Sequence, residues 1–173
     1  QYSSRQIQYL WKKRNHKMTD FYNKSAFFVI QYCINHKIGN LVIGKNQQWK
    51  QGIDIGRKNN QNFCYISHAH FIRKLSEVAA RYGIRVIITE ESYTSKASFI
   101  DNDDLPVYGE ANHPDFSGTR IHRGLYQSKK GILINADVNA ACNILKKAVK
   151  TAFDRVYDCT YLYQTVNTIH VNP

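Results

Sequence analysis

The apolar residues of this chain recur with helical and strand periods in alternation. Residues 1–17 read as a short basic helix containing Trp11-Lys12-Lys13-Arg14. Thr19 or Asp20 can cap a second helix, in which Phe21, Phe28, Val29 and Tyr32 fall at i, i+7, i+8 and i+11 and so share one face. Gly39 is the expected stop. Leu41-Val42-Ile43-Gly44 is a short all-apolar run, the pattern of a strand buried on both faces. After a polar stretch from Lys45 to Phe63, Ser67 can cap a helix with Phe71, Leu75, Val78, Ala79 and Tyr82 on one face and Gly83 at its end. Arg85-Val86-Ile87-Ile88-Thr89 is a second buried-type strand. An irregular segment, 96–119, follows, and then a hairpin: residues 124–128, a turn at Lys129-Lys130-Gly131, and Ile132-Leu133-Ile134. Asn135 can cap a last helix that turns Val138, Ala141, Cys142, Leu145 and Val149 inward. Helix, strand, helix, strand with short joints predicts an α/β fold with parallel strands and flanking helices. Functional groups in such sheets sit at the carboxyl ends of the strands, here Gly44-Lys45-Asn46 and Glu90-Glu91-Ser92.

Charge sharpens this picture. The 173 residues carry a formal charge of +11. The excess is +9 over residues 1–62, +1 over 63–95, −4 over 96–119 and +5 over 120–173. A basic front and back around an acidic insert favour a polyanion partner, with the acids at 101–115 read as solvated. In the polar stretch, Lys45, Asn46, Trp49, Lys50, Arg57, Lys58, Asn59 and Asn60 combine cations, amides and an indole. Cations contact phosphates, amides contact bases or sugars, and Trp49 can either stack on an unpaired base or close a core edge. No apolar run approaches the roughly 18 residues of a membrane span, so no membrane partner is expected. The four cysteines, Cys33, Cys64, Cys142 and Cys159, form no CxxC pair. Cys33 and Cys142 read as reduced core residues of an intracellular protein.

The candidate chemistry lies in three acids. Glu90 and Glu91 end a strand, and Asp137 opens a helix, where the helix dipole favours its ionised form. Carboxylates held together on rigid elements can share Mg²⁺, a hard cation that activates water in phosphodiester hydrolysis. The simpler alternative is that Asp137 helps to cap its helix and the glutamates are solvated. Two carboxylates are also too few for such a site. His68 and His70, at i and i+2, read as surface or capping residues, and no phosphate-binding GxxxxGK[ST] loop is present.

Three ordered blocks carry a resemblance. The first is Val42-Ile43-Gly44-Lys45-Asn46 with Trp49-Lys50-Gln51 and Ile55-Gly56-Arg57-Lys58-Asn59-Asn60-Gln61. The second is Thr89-Glu90-Glu91-Ser92-Tyr93-Thr94-Ser95-Lys96-Ala97-Ser98-Phe99, and the third Ile134-Asn135-Ala136-Asp137-Val138-Asn139-Ala140-Ala141 followed by Asn143-Ile144-Leu145. Over roughly residues 5–150 they resemble the C-terminal half of the OrfB/TnpB transposon proteins. That family comprises RNA-guided DNA endonucleases of insertion sequences, long described as transposases and similar to type V CRISPR effectors. The resemblance implies a partial RNase H-like (RuvC-like) domain whose acidic residues bind Mg²⁺ and cut DNA.

On this resemblance Asp137 is the last catalytic and metal-binding acid. The middle one, usually a Glu at the end of the strand 41–43, would stand at Gly44. In a subset it moves to the next strand, which makes Glu91 the metal ligand and Glu90 the second choice. The first acid belongs to a strand upstream, so the chain reads as truncated and inactive by itself. The competing reading is a catalytically inactive nucleic-acid-binding remnant. Relatives place zinc-binding Cys pairs where this chain has residues 97–101 and 126–131, so a degenerate zinc-ribbon insert without zinc is expected, held by packing and hydrogen bonds or loose. The implied organisation is a basic helical segment (1–40), a nuclease core (41–95 and 132–150), the insert (96–131) and a tail (151–173). DNA and a guide RNA are the implied partners, in a cytoplasmic, nucleoid-associated setting. Lys24, Thr94, Ser95, Lys96 and Arg123 join the residues of the polar stretch as candidate nucleic-acid contacts.

Overall fold

A computed structural model describes residues 4–46, 67–109 and 114–154. Trp49, Lys50, Arg57, Lys58, Asn59 and Asn60 lie outside the described residues, as do Cys64, His113 and Cys159. The described elements are α1 (Arg5–Asn35), β1 (Asn40–Gly44), α2 (His68–Arg81), β2 (Arg85–Thr89), β3 (Thr119–His122), β4 (Leu125–Gln127), β5 (Leu133–Asn135) and α3 (Ala136–Ala148). The architecture is mixed α/β, with two small sheets ordered β1-β2 and β3-β4-β5. No helix among the described residues is long and apolar enough to cross a membrane. Two compact units divide the described residues: 4–41 and 67–86 form the first, and 42–46, 87–109 and 114–154 the second. The division cuts both β1 and β2. Backbone hydrogen bonds from Arg85 N to Gly39 O (2.9 Å) and from Lys45 N to Thr89 O (2.8 Å) advance in the same sense along both strands. The two strands are therefore parallel, as expected. Both are only partly buried, β1 with Gly44 as its one buried residue and β2 with exposed and intermediate residues alone, where burial on both faces was expected.

In the first unit, the two helices predicted before residue 39 are one 31-residue helix. No Gly or Pro interrupts residues 15–20, so Thr19 and Asp20 are helical rather than capping, and the cap is Ser4, whose side chain accepts from Ile7 N. The helix ends at Asn35, and Lys37 takes the left-handed conformation (φ 55°) expected of Gly39. Its buried face is also not the predicted one. Tyr22, Ala26, Ile30 and Cys33 are buried, while Phe21, Phe28 and Tyr32 are 37–48% exposed. The small Ser25 and Ala26 belong to the buried side, and small residues allow a second helix to approach closely. Large aromatics had drawn the predicted stripe away from them. α2 contributes Ile72, Leu75 and Ala79 to this core. Leu75 and Ala79 were foreseen; Tyr82 is instead 51% exposed. Ser67 caps α2 by accepting from His70 N, and Gly83 (φ 69°) follows its end, both as predicted. Tyr22 joins the helices: its hydroxyl accepts from Ser67 N (3.0 Å), and its ring lies 5.4 Å from that of His70 and 6.0 Å from that of Phe71. His70 is thus packed against an aromatic ring rather than a plain surface residue. Burial of Cys33 raises its thiol pKa, which keeps it protonated.

In the second unit, the predicted hairpin forms as β4 and β5, paired antiparallel with Tyr126 opposite Ile134. β3 adds a third strand that the sequence pattern did not signal, because its four residues are all exposed. Tyr126, Ile134 and Ala136 form the core here, with Ile100 and Val138 packed on it. The Tyr126 hydroxyl donates to Lys96 O (2.7 Å). Burial, reinforced by the charges of Asp103 and Asp101, pushes its pKa up to about 12.

The insert is held by hydrogen bonds. Asp101 accepts from the Ser98 hydroxyl (2.6 Å) and from Lys129 N (2.7 Å), joining the turn after residue 97 to the turn before residue 132. Asp103 accepts from Ser98 N (2.7 Å), Ser117 N (3.0 Å) and the Ser117 hydroxyl (2.5 Å). Burial works to raise the pKa of Asp103, but the bonds from Ser117 and Ser98 outweigh it and leave the carboxyl below its ordinary value. The reading of these acids as solvated is therefore corrected at Asp101 and Asp103. Each was seen as a charge in a run, whereas each faces serine and backbone donors that only the folded chain brings to it.

Candidate functional site

The candidate acids sit on elements of the second unit. β1 ends at Gly44, which is buried. A β-carbon at that position would lie 2.5 Å from Glu91 Oε2, 3.0 Å from Glu91 Cβ and 2.8 Å from Ile144 Cδ1. Heavy atoms do not approach so closely without displacement, so only glycine fits here while Glu91 stays in place. The Glu91 side chain occupies the space that a side chain on residue 44 would need. Ile144 lies on α3 two helical turns after Asp137, on the same face. Asp137 is exposed at the start of α3, in the first turn, and its N–H donates to the capping Asn135 side chain (2.8 Å). Among the described residues, no group of three or more His, Cys, Asp or Glu is arranged to hold a metal ion.

Glu90 and Glu91 have different surroundings. Glu90 pairs with Lys147 and accepts from Ser92 N (2.5 Å). Burial works to raise the pKa of Glu90, but its hydrogen bonds from Lys147 and Ser92 and the Lys147 charge prevail, so the carboxyl is held below its ordinary range. The Lys147 side chain is only 10% exposed. Its ammonium also donates to Ser92 O and Pro106 O, both at 3.1 Å, so its three donors have three acceptors.

The segment after β2 is a tight turn. Thr94 N and the Thr94 hydroxyl both donate to Glu91 O, at 3.3 and 2.9 Å. Tyr93 sits in the left-handed region (φ 64°), a strained conformation for a non-glycine residue. The segment then runs along α3 and is clamped there. Asn143 Nδ2 donates to Thr94 O (3.0 Å) and Ala97 O (2.8 Å). Asn139 Nδ2 donates to Ala97 O (2.8 Å) while its Oδ1 accepts from Phe99 N (3.0 Å). Both asparagines are fully buried. Asn139, Asn143 and Lys147 stand at i, i+4 and i+8, one stripe along the helix. The predicted inward stripe is correct for Cys142 and wrong for Ala141, which is exposed. The sequence offered one signal for the polar stripe: two asparagines, poor helix formers, four residues apart inside a helix.

The candidate nucleic-acid contacts divide. Thr94 is 3% exposed, and its hydroxyl serves the turn, so it is not available to a ligand; this corrects the expectation. Ser95 and Lys96 beside it are exposed, as are Lys45 and Arg123, and Asn46 is half-buried. In the first unit, Lys24 is half-exposed and pairs with Asp20 (2.8 Å).

Comparison with known proteins gives a family-model match and matches among solved structures. Residues 68–144 match the family model described as Cas12f1-like, TNB domain. The fold is similar to a chain in the cryo-EM structure of the Cas12f1-sgRNA-target DNA complex, with a TM-score of 0.58 and 20% sequence identity. The similarity covers 84% of this chain and 37% of that one, so this chain spans well under half the length of its structural counterpart. No curated protein matches the sequence.

Proposed function

We propose that this chain is part of an RNA-guided DNA endonuclease of the TnpB/Cas12f kind, and that Glu91 and Asp137 are two of its metal-binding acids. The observation that supports this reading is the fit of the Glu91 carboxylate over Gly44. In the OrfB/TnpB-like pattern a metal-binding Glu stands at the end of this strand, and here the neighbouring strand delivers a carboxylate to that place. Adjacent strands lie about 4.8 Å apart, a gap that one side chain spans. The family-model match over residues 68–144 and the Cas12f1-like fold agree with it.

The donor set fits a hard divalent cation such as Mg²⁺. Glu91 and Asp137 offer carboxylate oxygens, the ligand type such a cation takes. Such an ion lowers the pKa of bound water and stabilises charge on the leaving oxygen. The chain's own part is to hold Glu91 over Gly44 and to present Asp137 in the first turn of α3. Exposed cations including Lys45, Lys96 and Arg123 contact the phosphates of DNA and guide RNA, by backbone and shape rather than sequence. The insert 96–131 stands in the place of a zinc ribbon, with hydrogen bonds accepted by Asp101 and Asp103 from Ser98, Ser117 and Lys129 in place of a metal.

The test is Mg²⁺-dependent, guide-directed cleavage by the intact protein, compared with Glu91→Ala and Asp137→Ala. Loss of cleavage in both, with DNA and RNA binding retained, is the expected result. Full cleavage in either variant overturns the assignment. Salt-sensitive binding with no cleavage by the intact wild type would instead establish a non-catalytic nucleic-acid-binding protein.

A further inference from the structure

We infer that Lys147 is a positioning residue for Glu91, acting by taking up the carboxylate of Glu90; the inference rests on the functional reading of Glu91 given above. Two consecutive glutamates at one strand end compete for the same cation and repel each other. Here the competition is resolved by geometry. The Lys147 ammonium takes one carboxylate, that of Glu90, and the same nitrogen binds Ser92 O. The residues on both sides of Glu91 are thereby bound to a single, largely covered side chain. Glu91's own carbonyl is held by Thr94 through its N–H and its hydroxyl. The main chain after Glu91 is tied to Lys147 through Ser92 O, and Gly44 and Ile144 border the space of the Glu91 side chain.

The third acceptor of Lys147, Pro106 O, extends this support to the insert. The charge matters as well as the reach. An ammonium with three acceptors in this geometry neutralises Glu90. If Glu90 lost its charge, the same ammonium would be drawn to the adjacent carboxylate. A purely structural lysine would not produce that second effect, and the two effects can be separated by substitution.

The experiment is a double-substitution cycle in the intact protein: Lys147→Gln, Glu90→Gln and the two combined, with Lys147→Arg as the conservative variant and Glu91→Gln as reference. The probe is Mn²⁺ alone, titrated and read by its effect on water-proton relaxation. Amide hydrogen exchange over residues 92–97 is measured alongside. Each single Gln substitution is expected to weaken Glu91-dependent Mn²⁺ binding about tenfold or more, the scale seen for partners that orient metal ligands. The combined variant, whose two amides can bond each other, and Lys147→Arg are expected to recover most of that loss. Lys147→Gln should also speed exchange over 92–97 while the protein remains folded. Unchanged Mn²⁺ affinity in Lys147→Gln overturns the inference, as does a combined variant no tighter than the product of its singles. If the wild type and Glu91→Gln bind Mn²⁺ equally, the functional reading fails. Exchange then still decides whether Lys147 holds the segment: unchanged protection in Lys147→Gln overturns that too.

Discussion

The Glu91 carboxylate stands 2.5 Å from where a β-carbon on Gly44 would lie. The two positions therefore exclude each other: a side chain at one requires the other to give way. Gly44→Ala should cost about 1–3 kcal/mol in stability, the usual range for overpacking a closed site. It should also displace Glu91 and weaken Mn²⁺ binding. Gly44→Glu combined with Glu91→Gly restores a carboxylate from the other strand and should recover binding relative to Gly44→Ala. Urea unfolding and Mn²⁺ titration check both parts. A Gly44→Ala protein with wild-type stability and binding would show that Glu91 does not depend on this space.

Asn139 and Asn143 predict large effects for small truncations. Asn139→Ala leaves Phe99 N without its acceptor and removes one of two donors to Ala97 O. A loss of about 1–3 kcal/mol is expected, from the cost of a buried group left without its partner. Asn143→Ala removes donors to Thr94 O and Ala97 O and should cost a similar amount. Both residues act on one segment, so the double variant should depart from additivity. Equilibrium unfolding of the three variants measures this directly.

Thr94 and Lys96 are close neighbours that should respond in opposite ways. Lys96→Ala removes an exposed cation and should weaken nucleic-acid binding to a similar degree across sequences, lowering the salt slope by about 1, with stability nearly unchanged. Thr94→Ala removes a buried turn bond and should cost about 1 kcal/mol in stability, leaving the salt slope as in the wild type. Binding measured over a salt series, with unfolding curves for both variants, tests the contrast.

Asp103 makes the insert acid-sensitive. Its folded pKa is depressed, so its stabilising effect is fully present above the unfolded carboxyl value of about 3.9. The effect is lost as pH falls through the folded value, where the bonds from Ser98 and Ser117 no longer meet a charge. Asp103→Asn should lower stability at pH 7 by on the order of 2 kcal/mol, since charged acceptors make the stronger bonds. The gap to the wild type should close below about pH 4. Thermal unfolding of both proteins from pH 3 to pH 7 provides the measurement.

The sequence made some features legible and hid others, for physical reasons. The caps Ser67 and Asn135, the turn at Gly83 and the hairpin after Gly124 were readable because each depends on residues next to one another. The buried face of α1 was not. Hydrophobicity alone chose Phe21, Phe28 and Tyr32, whereas close helix packing chose the side bearing Ser25 and Ala26. Glu91 and Asp137 stood out only through the motifs around them, since their spacing alone also suits a capping acid and solvated glutamates. The motifs put Glu91 ahead of Glu90 at this place, but they did not show the contacts that set the two glutamates apart. Glu90 pairs with Lys147, 57 residues later in the sequence, a contact that exists only in the folded chain.

The stripe Asn139, Asn143, Lys147 also sets what kinds of sequence change this region can survive. Its three members meet the 90–99 segment on successive turns, so helix and segment are matched tooth for tooth. Exchanging one tooth loosens one contact. Inserting or deleting a single residue within α3 rotates everything beyond it by about 100°, and the remaining teeth then face elsewhere. The lengths of these two stretches should therefore vary far less among related chains than the identities of the residues that fill them.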